Sequence, residues 1–232
     1  MDSLNTAIIT AAGSGSRMGT AIKKQYLDLG GIPIMIHTLE KFFNSEIIDN
    51  VIITAPENEV AFCEELIQQY FEDSTKPWLV IPGGIERQDS IFGALQNCPK
   101  TVQHVFIHDA VRPFVTEDLI EELYEIVQKD KAVVPVVRIK NTVKSIQGDF
   151  IEQTIPRHNL VQVFTPQVFS FKLIKAAYER AYQEGYISTD DSALVEHYGA
   201  KVRYKFCSDM NFKITDELDL FFARQLVDNN LI

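Results

Sequence analysis

The strongest constraint on the fold is an alternation of short, apolar, β-branched runs with longer segments of helical periodicity. Runs rich in Val, Ile and Thr predict buried strands, and apolar residues three or four apart predict amphipathic helices between them. The predicted strands span residues 6–10, 51–55, 78–81, 102–107 and 132–137, and the predicted helices about 33–44, 59–71, 87–96 and 117–128. Thr116 is a predicted N-cap of the last of these helices. The alternation predicts an α/β fold, a mostly parallel sheet with helices on both faces.

The alternation is interrupted between residues 138 and about 164, where a β-hairpin is predicted instead. Its strands are residues 142–146 and 150–155, joined by a Gly148-Asp149 turn. A hairpin with unpaired edges is poorly stable alone, so we expect this β-arm to protrude and to pack on the second subunit of a homodimer. Helices near 172–183, 190–197 and 216–227 and a strand at 201–206 follow. The prediction is one Rossmann-like domain over residues 1–232, with a β-arm at about 138–164.

Composition and charge exclude several classes of function. A net charge of −10 argues against nonspecific binding of nucleic acid, which needs a positive surface. No apolar run approaches the roughly 20 residues that a membrane-spanning helix needs, and we see no signal peptide. Cys63, Cys98 and Cys207 have no metal-ligand spacing and are predicted to be reduced thiols. We therefore expect a cytoplasmic protein without a membrane or nucleic-acid partner.

A glycine-rich loop follows the first predicted strand and is the first candidate binding site. Gly13, Gly15 and Gly19 let the backbone turn sharply and bring its N–H groups close to phosphate oxygens. Arg17 and Lys24 can add charge-assisted contacts. The spacing G-x-G-x-x-x-G is neither the dinucleotide fingerprint nor a P-loop. The loop alone therefore leaves two interpretations open, a phosphate cradle and a tight strand-to-helix turn.

Two further strand ends carry residues suited to a nucleotide. Gly83-Gly84 ends the third predicted strand, where its backbone can approach a base; a plain turn is the alternative. Asp109 lies at the end of the fourth strand, at the edge where open α/β sheets bind ligands, and can hold Mg²⁺ together with waters and phosphates. An N-cap or a salt bridge to Arg112 is the alternative for Asp109. His108 is interpreted as a packed core or turn histidine rather than as a catalytic base.

Short motifs run through the whole chain in a fixed order. They are Ala-Ala-Gly-x-Gly-x-Arg-Met-Gly at 11–19 with Lys-Gln-Tyr-Leu at 24–27, Gly-Gly-x-x-Arg-x-x-Ser at 83–90, His-Asp-Ala-x-Arg-Pro at 108–113, Thr-Pro-Gln at 165–167, Thr-Asp-Asp at 189–191 and Asn-x-Lys at 211–213. In this combination they resemble the family of cytidylyltransferases that act on methylerythritol phosphate. The resemblance covers essentially the whole chain, and the combination of motifs is highly specific.

The resemblance implies a reaction and a set of site residues. The phosphate of 2-C-methyl-D-erythritol 4-phosphate attacks the α-phosphorus of CTP in the presence of Mg²⁺, and pyrophosphate leaves. The implied catalytic residues are Arg17, Lys24 and Lys213; the nucleotide-binding residues are Ala11, Ala12, Gly13, Gly15, Gly83, Gly84, Ser90 and Ala110; the substrate-binding residues are Asp109, Arg112, Thr142, Arg157, Thr165 and Thr189, with Asp109 also near the metal. Thr142 and Arg157 match family positions that reach into the neighbouring subunit's site, so the resemblance also implies a dimer.

Three departures from the family pattern leave alternatives open. Asn141, Pro156 and Met210 stand where the family usually has acidic residues, all in the neighbourhood of the acceptor. Ribitol 5-phosphate is therefore a second candidate acceptor, although Ala12 favours methylerythritol phosphate because the ribitol relatives tend to have glycine there. A nicotinamide-dependent dehydrogenase is an alternative of another class. Such an enzyme needs an acidic residue at the end of the second strand to bind the ribose, and Glu57, just beyond that end, meets this requirement only in part. The third alternative is a protein that descends from such an enzyme and binds nucleotide without catalysing a reaction. The retained basic residues argue against it.

Overall fold

Four parallel strands form the centre of the main sheet in the computed structural model, which describes residues 4–13 and 23–229. They are β1 (Leu4–Thr10), β4 (Asn50–Ala55), β5 (Trp78–Pro82) and β6 (Val102–Asp109). Their order in the sheet is β5–β4–β1–β6, with β1 pairing in parallel with both β4 and β6. The chain thus runs from β1 outwards to β5 and returns on the other side of β1. Open α/β sheets bind ligands where the strand order reverses in this way, here between β1 and β6.

The rest of the main sheet is mixed. Next to β6 lie β11 (Gln167–Ser170), antiparallel to it, and then β7 (Ala132–Arg138). β7 also pairs with the antiparallel β10 (Val161–Val163) and the parallel β12 (Arg203–Phe206). Neither β10 nor β11 was predicted, because strands of three and four residues carry too little periodicity and owe their place to their partners. The predicted mostly parallel sheet is confirmed.

Helices cover both faces of this sheet, as predicted. On one face lie α1 (Ile34–Asn44), α2 (Val60–Phe71) and α4 (Glu117–Asp130), and on the other α3 (Arg87–Asn97), α5 (Phe171–Glu184) and α6 (Asp191–His197). β1 shows why two cores form: Ala7 and Ile9 belong to the first and Ile8 to the second. Thr116 caps α4 as predicted, its hydroxyl oxygen accepting from the Leu119 N–H at 3.3 Å. Within the described residues, no helix is both long and apolar enough to span a membrane.

A smaller third core fixes the segment before the last helix, α7 (Glu217–Asp228). It contains Ile214 and Leu220 together with Leu29, which lies in the short hairpin of β2 (Asp28–Leu29) and β3 (Ile32–Pro33). This two-stranded hairpin was not predicted either. Its consequence is that residues just before α7 are anchored close to the end of β6, since Val111 belongs to the same core.

The predicted β-arm is confirmed as a two-stranded hairpin. It consists of β8 (Val143–Gln147) and β9 (Phe150–Ile155), and Gly148 in the turn has a φ of 57°, which glycine adopts without strain. Its apolar side chains are uncovered: Ile146 is 73% exposed, Phe150 80% and Ile151 65%. Packing of this arm on a second subunit stays a prediction.

Candidate active site

A cavity of about 400 Å³ opens at the carboxyl ends of β1, β4, β5 and β6, beside the reversal of strand order. Parallel strands place their carboxyl ends at one edge of the sheet, so residues far apart in sequence meet there. The lining residues are Thr10, Ala11, Ala12, Gly13, Lys24, Gln25, Thr54, Ile85, Arg87, Ser90, Asp109, Ala110, Val111 and Lys213. The structure therefore brings together eight of the predicted site residues, from the segments at 11–13, 24, 90, 109–110 and 213.

Asp109 lies at the centre of a cluster of positive side chains. Its Oδ2 atom is 3.1 Å from Lys213 Nζ and 3.1 Å from Arg112 Nε, and its Oδ1 atom is 3.6 Å from Arg87 Nε. Thr10, its register partner on β1, directs its hydroxyl at Oδ1 at 3.4 Å. The ion pair with Arg112 that was left open as an alternative is thus present. It is one of three such contacts rather than an isolated one.

These charges keep the Asp109 carboxylate ionised. Burial would raise the pKa of this group, whose side chain is only 7% exposed. Lys213, Arg87 and Arg112 more than offset that effect and hold the pKa of Asp109 well below its ordinary value. The cluster has more positive than negative groups, so it suits an anionic ligand at the cavity surface.

Lys213 is placed over the cavity by the anchored segment before α7. The Ile214 side chain is fully buried, and its N–H donates to the Val111 carbonyl at 2.9 Å. Asp216 then caps α7, accepting from the N–H groups of Leu218 and Asp219 at 3.0 Å each. Lys213 is therefore a partly exposed lysine on a rigid support, which favours a role at the site over that of a solvated surface lysine.

Arg87, at the start of α3, was not predicted as a site residue, yet it lines the cavity. Its Nη2 atom is 2.8 Å from Oδ2 of Asp191, a fully buried carboxylate at the start of α6. Burial would lower the pKa of Arg87, but Asp191 and Asp109 raise it above its ordinary value, so the guanidinium stays charged. Its position within Gly-Gly-x-x-Arg-x-x-Ser was the available sequence signal, whereas its partner lies 104 residues away.

The Gly83-Gly84 turn approaches its neighbours more closely than any other residue type allows. A Cβ atom on Gly83 would lie 2.2 Å from the Ala12 Cβ, and one on Gly84 would lie 2.2 Å from the Asp89 Cβ. Ser90 supports the turn, since its hydroxyl accepts from the Gly84 N–H at 3.0 Å and donates to the Glu86 carbonyl at 3.2 Å. The turn therefore packs against the loop after β1. Direct contact of Gly83, Gly84 and Ser90 with a nucleotide stays a prediction.

The loop after β1 is fixed at its start. Ala11 N–H donates to the Thr54 carbonyl at 2.9 Å, and the Ala11 carbonyl accepts from Gln25 Nε2 at 2.8 Å. Gln25 is itself buried and lies next to Lys24, which contributes to the cavity lining. The predicted residues Gly15 and Arg17, together with Gly19, lie outside the described residues.

His108 and Thr165 form a buried support behind Asp109. The Thr165 hydroxyl accepts from the Asp109 N–H at 3.2 Å and lies 2.9 Å from His108 Nδ1, while His108 Nε2 lies 3.1 Å from the Arg112 carbonyl. A carbonyl can only accept, so Nε2 carries the proton and Nδ1 accepts from Thr165. Burial lowers the pKa of His108 to about 4. His108 is thus a neutral core histidine, as interpreted from the sequence.

Thr165 and Arg112, both predicted to bind substrate, are largely engaged within the protein. Both are buried, and Arg112 donates to Asp109 and, at 3.0 Å, to the Asn211 carbonyl. The Arg112 guanidinium also lies 4.6 Å from the centre of the Phe164 ring. Asn211 closes the network by donating to the Thr165 carbonyl at 2.8 Å. The geometry gives Thr165 and Arg112 a supporting position, and their contact with substrate stays a prediction.

The remaining predicted substrate-binding residues lie apart from the cavity in this subunit. Thr142 and Arg157 are exposed at the base of the β-arm, where Arg157 Nη1 donates to the Lys140 carbonyl. Thr189 is exposed on the loop between α5 and α6. Two residues further on, Asp191 holds Arg87, so this loop connects to the cavity through that ion pair.

The described residues include no cluster of three or more His, Cys, Asp or Glu side chains that could hold a metal ion. Asp109 is the acidic side chain in the cavity lining, and three positive side chains already surround its two oxygens. A divalent cation bonded directly to this carboxylate would face their repulsion. The arrangement fits a metal that arrives on a phosphate ligand better than one held by the protein, and Asp109 as a metal ligand stays a prediction.

Comparison with known proteins places this site in a family. The sequence signature of the 2-C-methyl-D-erythritol 4-phosphate cytidylyltransferase family matches residues 5–229. The chain belongs to this family. Enzymes of that name from Halalkalibacterium halodurans and Geobacter metallireducens are 40% identical over 222 residues and 38% identical over 228 residues. These alignments cover 96% of both chains in the first case, and 97% of this chain and 98% of the relative in the second.

Solved structures agree with the sequence relatives. The 4-diphosphocytidyl-2C-methyl-D-erythritol synthase of Anaerococcus prevotii superposes with a TM-score of 0.84 at 31% identity, covering 97% of this chain and 99% of that one. The Francisella tularensis 2-C-methyl-D-erythritol 4-phosphate cytidylyltransferase gives 0.80 at 29% identity, covering 96% and 99%. The Rossmann-like fold is confirmed. Family membership makes the chain a nucleotidyltransferase and decides against the dehydrogenase.

Proposed function

We propose that the protein transfers the cytidylyl group of CTP to 2-C-methyl-D-erythritol 4-phosphate and releases pyrophosphate, a step of non-mevalonate isoprenoid biosynthesis. The observation that carries the proposal is the cluster of Arg87, Arg112 and Lys213 around Asp109, facing the loop after β1 in a chain that matches the family from residue 5 to residue 229. Two anions must meet in this reaction. A cavity edged by fixed positive groups lowers the repulsion between them.

The reaction needs positioning and charge stabilisation rather than a base. An oxygen of the acceptor phosphate attacks the α-phosphorus in line, a new P–O bond forms, and the bond to pyrophosphate breaks. The attacking oxygen is already anionic, so no proton has to be removed. The neutral, buried His108 is consistent with this scheme, because it is hydrogen-bonded on both ring nitrogens and has no access to the cavity.

Lys24, Lys213 and Arg17 are the proposed catalytic residues. Lys24 and Lys213 both line the cavity, so they can contact a triphosphate and the pentacoordinate α-phosphate together. Ion pairing with Asp109 keeps Lys213 in place at 3.1 Å without neutralising the cluster as a whole. The proposed contribution of Arg17 rests on the family resemblance.

The base and ribose are proposed to lie against the Gly83-Gly84 turn. Ala11, Ala12 and Gly13 with Ala110 supply backbone groups at the neighbouring strand ends, and a pyrimidine is small enough for recognition by backbone at close range. The 2.2 Å clash that a side chain at Gly83 would make with Ala12 shows how closely the turn and the loop approach each other. Glycine is therefore needed where the turn meets the loop after β1.

The acceptor side is proposed to be completed by a second subunit. Thr142 and Arg157 lie on the exposed β-arm, and the apolar side chains of its strands are uncovered in the single chain. Monomers seldom leave such a group of apolar side chains in water, so a homodimer through the arm accounts for them. In the proposed acceptor site, Thr165 and Thr189 come from the subunit that forms the cavity, and the arm comes from the second subunit.

Magnesium is proposed to enter as its complex with CTP. Phosphate and water oxygens would then supply most of its ligands, as Mg²⁺ prefers, and its chemical contribution is to neutralise charge on the triphosphate.

The proposed location is the cytoplasm. The three cysteines are free thiols, which fits a reducing compartment. We propose that the protein works there as a single domain with its β-arm.

Pyrophosphate release tests the proposed function. Purified protein is incubated with CTP and Mg²⁺ and with either 2-C-methyl-D-erythritol 4-phosphate or ribitol 5-phosphate. We expect release with the methylerythritol phosphate and at least about tenfold lower kcat/KM with the ribitol phosphate. Release with ribitol 5-phosphate alone would assign the second acceptor, and no release with either would overturn the proposal.

A further inference from the structure

Arg87 is held at the cavity by a buried carboxylate whose placement has a cost. Asp191 is fully buried, and its two oxygens accept from Arg87 Nη2 and from the Tyr178 hydroxyl. Burying an ion pair stabilises a fold little or not at all, since desolvation offsets the attraction between the charges. The pair therefore calls for an explanation other than stability. One such explanation is the precise placement of the Arg87 side chain.

The ion pair with Asp191 orients the Arg87 guanidinium but occupies only its Nη2 atom. Nη2 is bound to Asp191, Nε faces Asp109 Oδ1 at 3.6 Å, and Nη1 has no hydrogen-bond partner among the described residues. The separation of 3.6 Å is an ion-pair distance but too long for a hydrogen bond. A donor nitrogen and an acceptor oxygen thus stand side by side at the cavity surface, each with capacity to spare.

A hydroxyl group is the ligand that matches such a pair, because it accepts one hydrogen bond and donates another. An ionised phosphate oxygen could accept from Arg87, but it has no proton to donate to the Asp109 carboxylate and so would match only half of the pair. We propose that Arg87 and Asp109 together bind a hydroxyl group of a substrate, and that Asp191 is the positioning residue that fixes Arg87 for this contact. The hydroxyl belongs to the acceptor polyol or to the ribose of CTP.

This inference rests on the proposed function, and a double-mutant cycle tests it in the full-length protein. R87A, D191N and the double variant are compared with the wild type for kcat and for the KM of each substrate. R87A should raise the KM of one substrate about 10- to 100-fold, the loss expected for a hydrogen bond from a charged group. A rise for the methylerythritol phosphate identifies the polyol hydroxyl, and a rise for CTP identifies the ribose.

The positioning role predicts that D191N has an effect only through Arg87. D191N alone should raise the same KM about tenfold, and in the R87A background it should change that KM by less than about twofold. Independent, multiplying effects would overturn the positioning role, and an unchanged KM for both substrates in R87A would overturn the hydroxyl site. If D191N fails to fold, R87K replaces it, because lysine keeps the charge but cannot reach Asp191 and the hydroxyl together; wild-type kinetics for R87K would overturn the inference.

A matched ion pair elsewhere in the chain provides the control. Arg180 Nε is 2.8 Å from Glu184 Oε1 on the exposed face of α5, the same separation as that of Arg87 and Asp191. R180A and E184Q should leave both KM values unchanged. Wild-type protein that releases no pyrophosphate at all would count against the proposed function. If the wild type is active but the effects of R87A and D191N on KM are independent of each other, this inference alone is wrong.

Discussion

The cavity and the β-arm are built in opposite ways. At the cavity, Asp109 is almost completely buried, its oxygens face cations from its own turn and from two other segments, and the glycine turn leaves no room for a Cβ atom. On the arm, Phe150 is 80% exposed and Arg157 also lies at the surface. The difference shows that one chain forms the anion-binding side by itself, and it supports the proposal that a second subunit completes the side that binds the acceptor phosphate.

The largest effect is expected from removing Lys213, one of the two lysines that line the cavity. Lys213→Ala should lower kcat about 10²- to 10³-fold, the loss typical for one preorganised group that stabilises transition-state charge. The fold should persist, because Arg112 and Arg87 still neutralise Asp109. The measurement is steady-state pyrophosphate release. Lys205→Ala is the control, a lysine paired with Glu122 at 2.8 Å away from the cavity, and it should keep wild-type turnover.

The buried network should also make stability depend on pH. The pKa of His108 is lowered to about 4 in the folded protein, so between about pH 6.5 and 4 the unfolded chain binds a proton that the folded one does not. Stability should therefore fall as the pH drops through this interval, by about 3 kcal/mol in total from this group.

Denaturant unfolding at pH 7 and pH 4.5 measures this effect. His108→Asn should show a smaller loss between the two pH values than the wild type, whatever its stability at pH 7. His104, whose pKa is also lowered by burial, is present in both proteins and cancels in the comparison. Equal losses in both proteins would contradict the buried, neutral state of His108.

A smaller effect is expected at the glycine turn. Gly83→Ala places a Cβ atom 2.2 Å from Ala12 and 2.9 Å from the Ser90 hydroxyl, so the loop after β1 must shift. Overpacking of this kind costs about 1–3 kcal/mol, and the KM for CTP should rise as well. Gly93→Ala in α3 is the matched control, because its Cβ would lie no closer than 3.9 Å to Ile81, and alanine favours a helix. Equal melting temperatures for the two variants would show that the turn is not constrained as described.

The sequence was most informative where local patterns decide the structure. The four central strands, the cap at Thr116 and the β-arm all follow from periodicity, capping and turn residues within short windows. β10 and β11 could not be predicted in that way, because they are short and their stability comes from pairing with β6 and β7. Their local sequences carry no equivalent signal.

The sequence allowed individual site residues to be predicted, but not the contacts between them. Asp109, Lys24 and Lys213 were placed at one site by motif, and the structure brings them to one cavity. The pair of Arg87 and Asp191 was missed, because it joins positions 104 residues apart and depends on α3 and α6 lying on the same face of the sheet. Tertiary contacts of this kind leave no mark in a single sequence.

Mixing two inactive variants tests most directly whether one active site is shared between two chains. K213A lacks a group of the cavity and R157A a group of the partner's arm, so a mixed dimer of the two has one site with both defects and one intact site. After unfolding and refolding together at equal amounts, half of the dimers should be mixed, and about a quarter of the wild-type turnover should return. Sedimentation and tagged copurification establish that mixed dimers have formed. If they form and turnover stays at the level of the separate variants, both groups act within one chain and the proposed shared site is wrong.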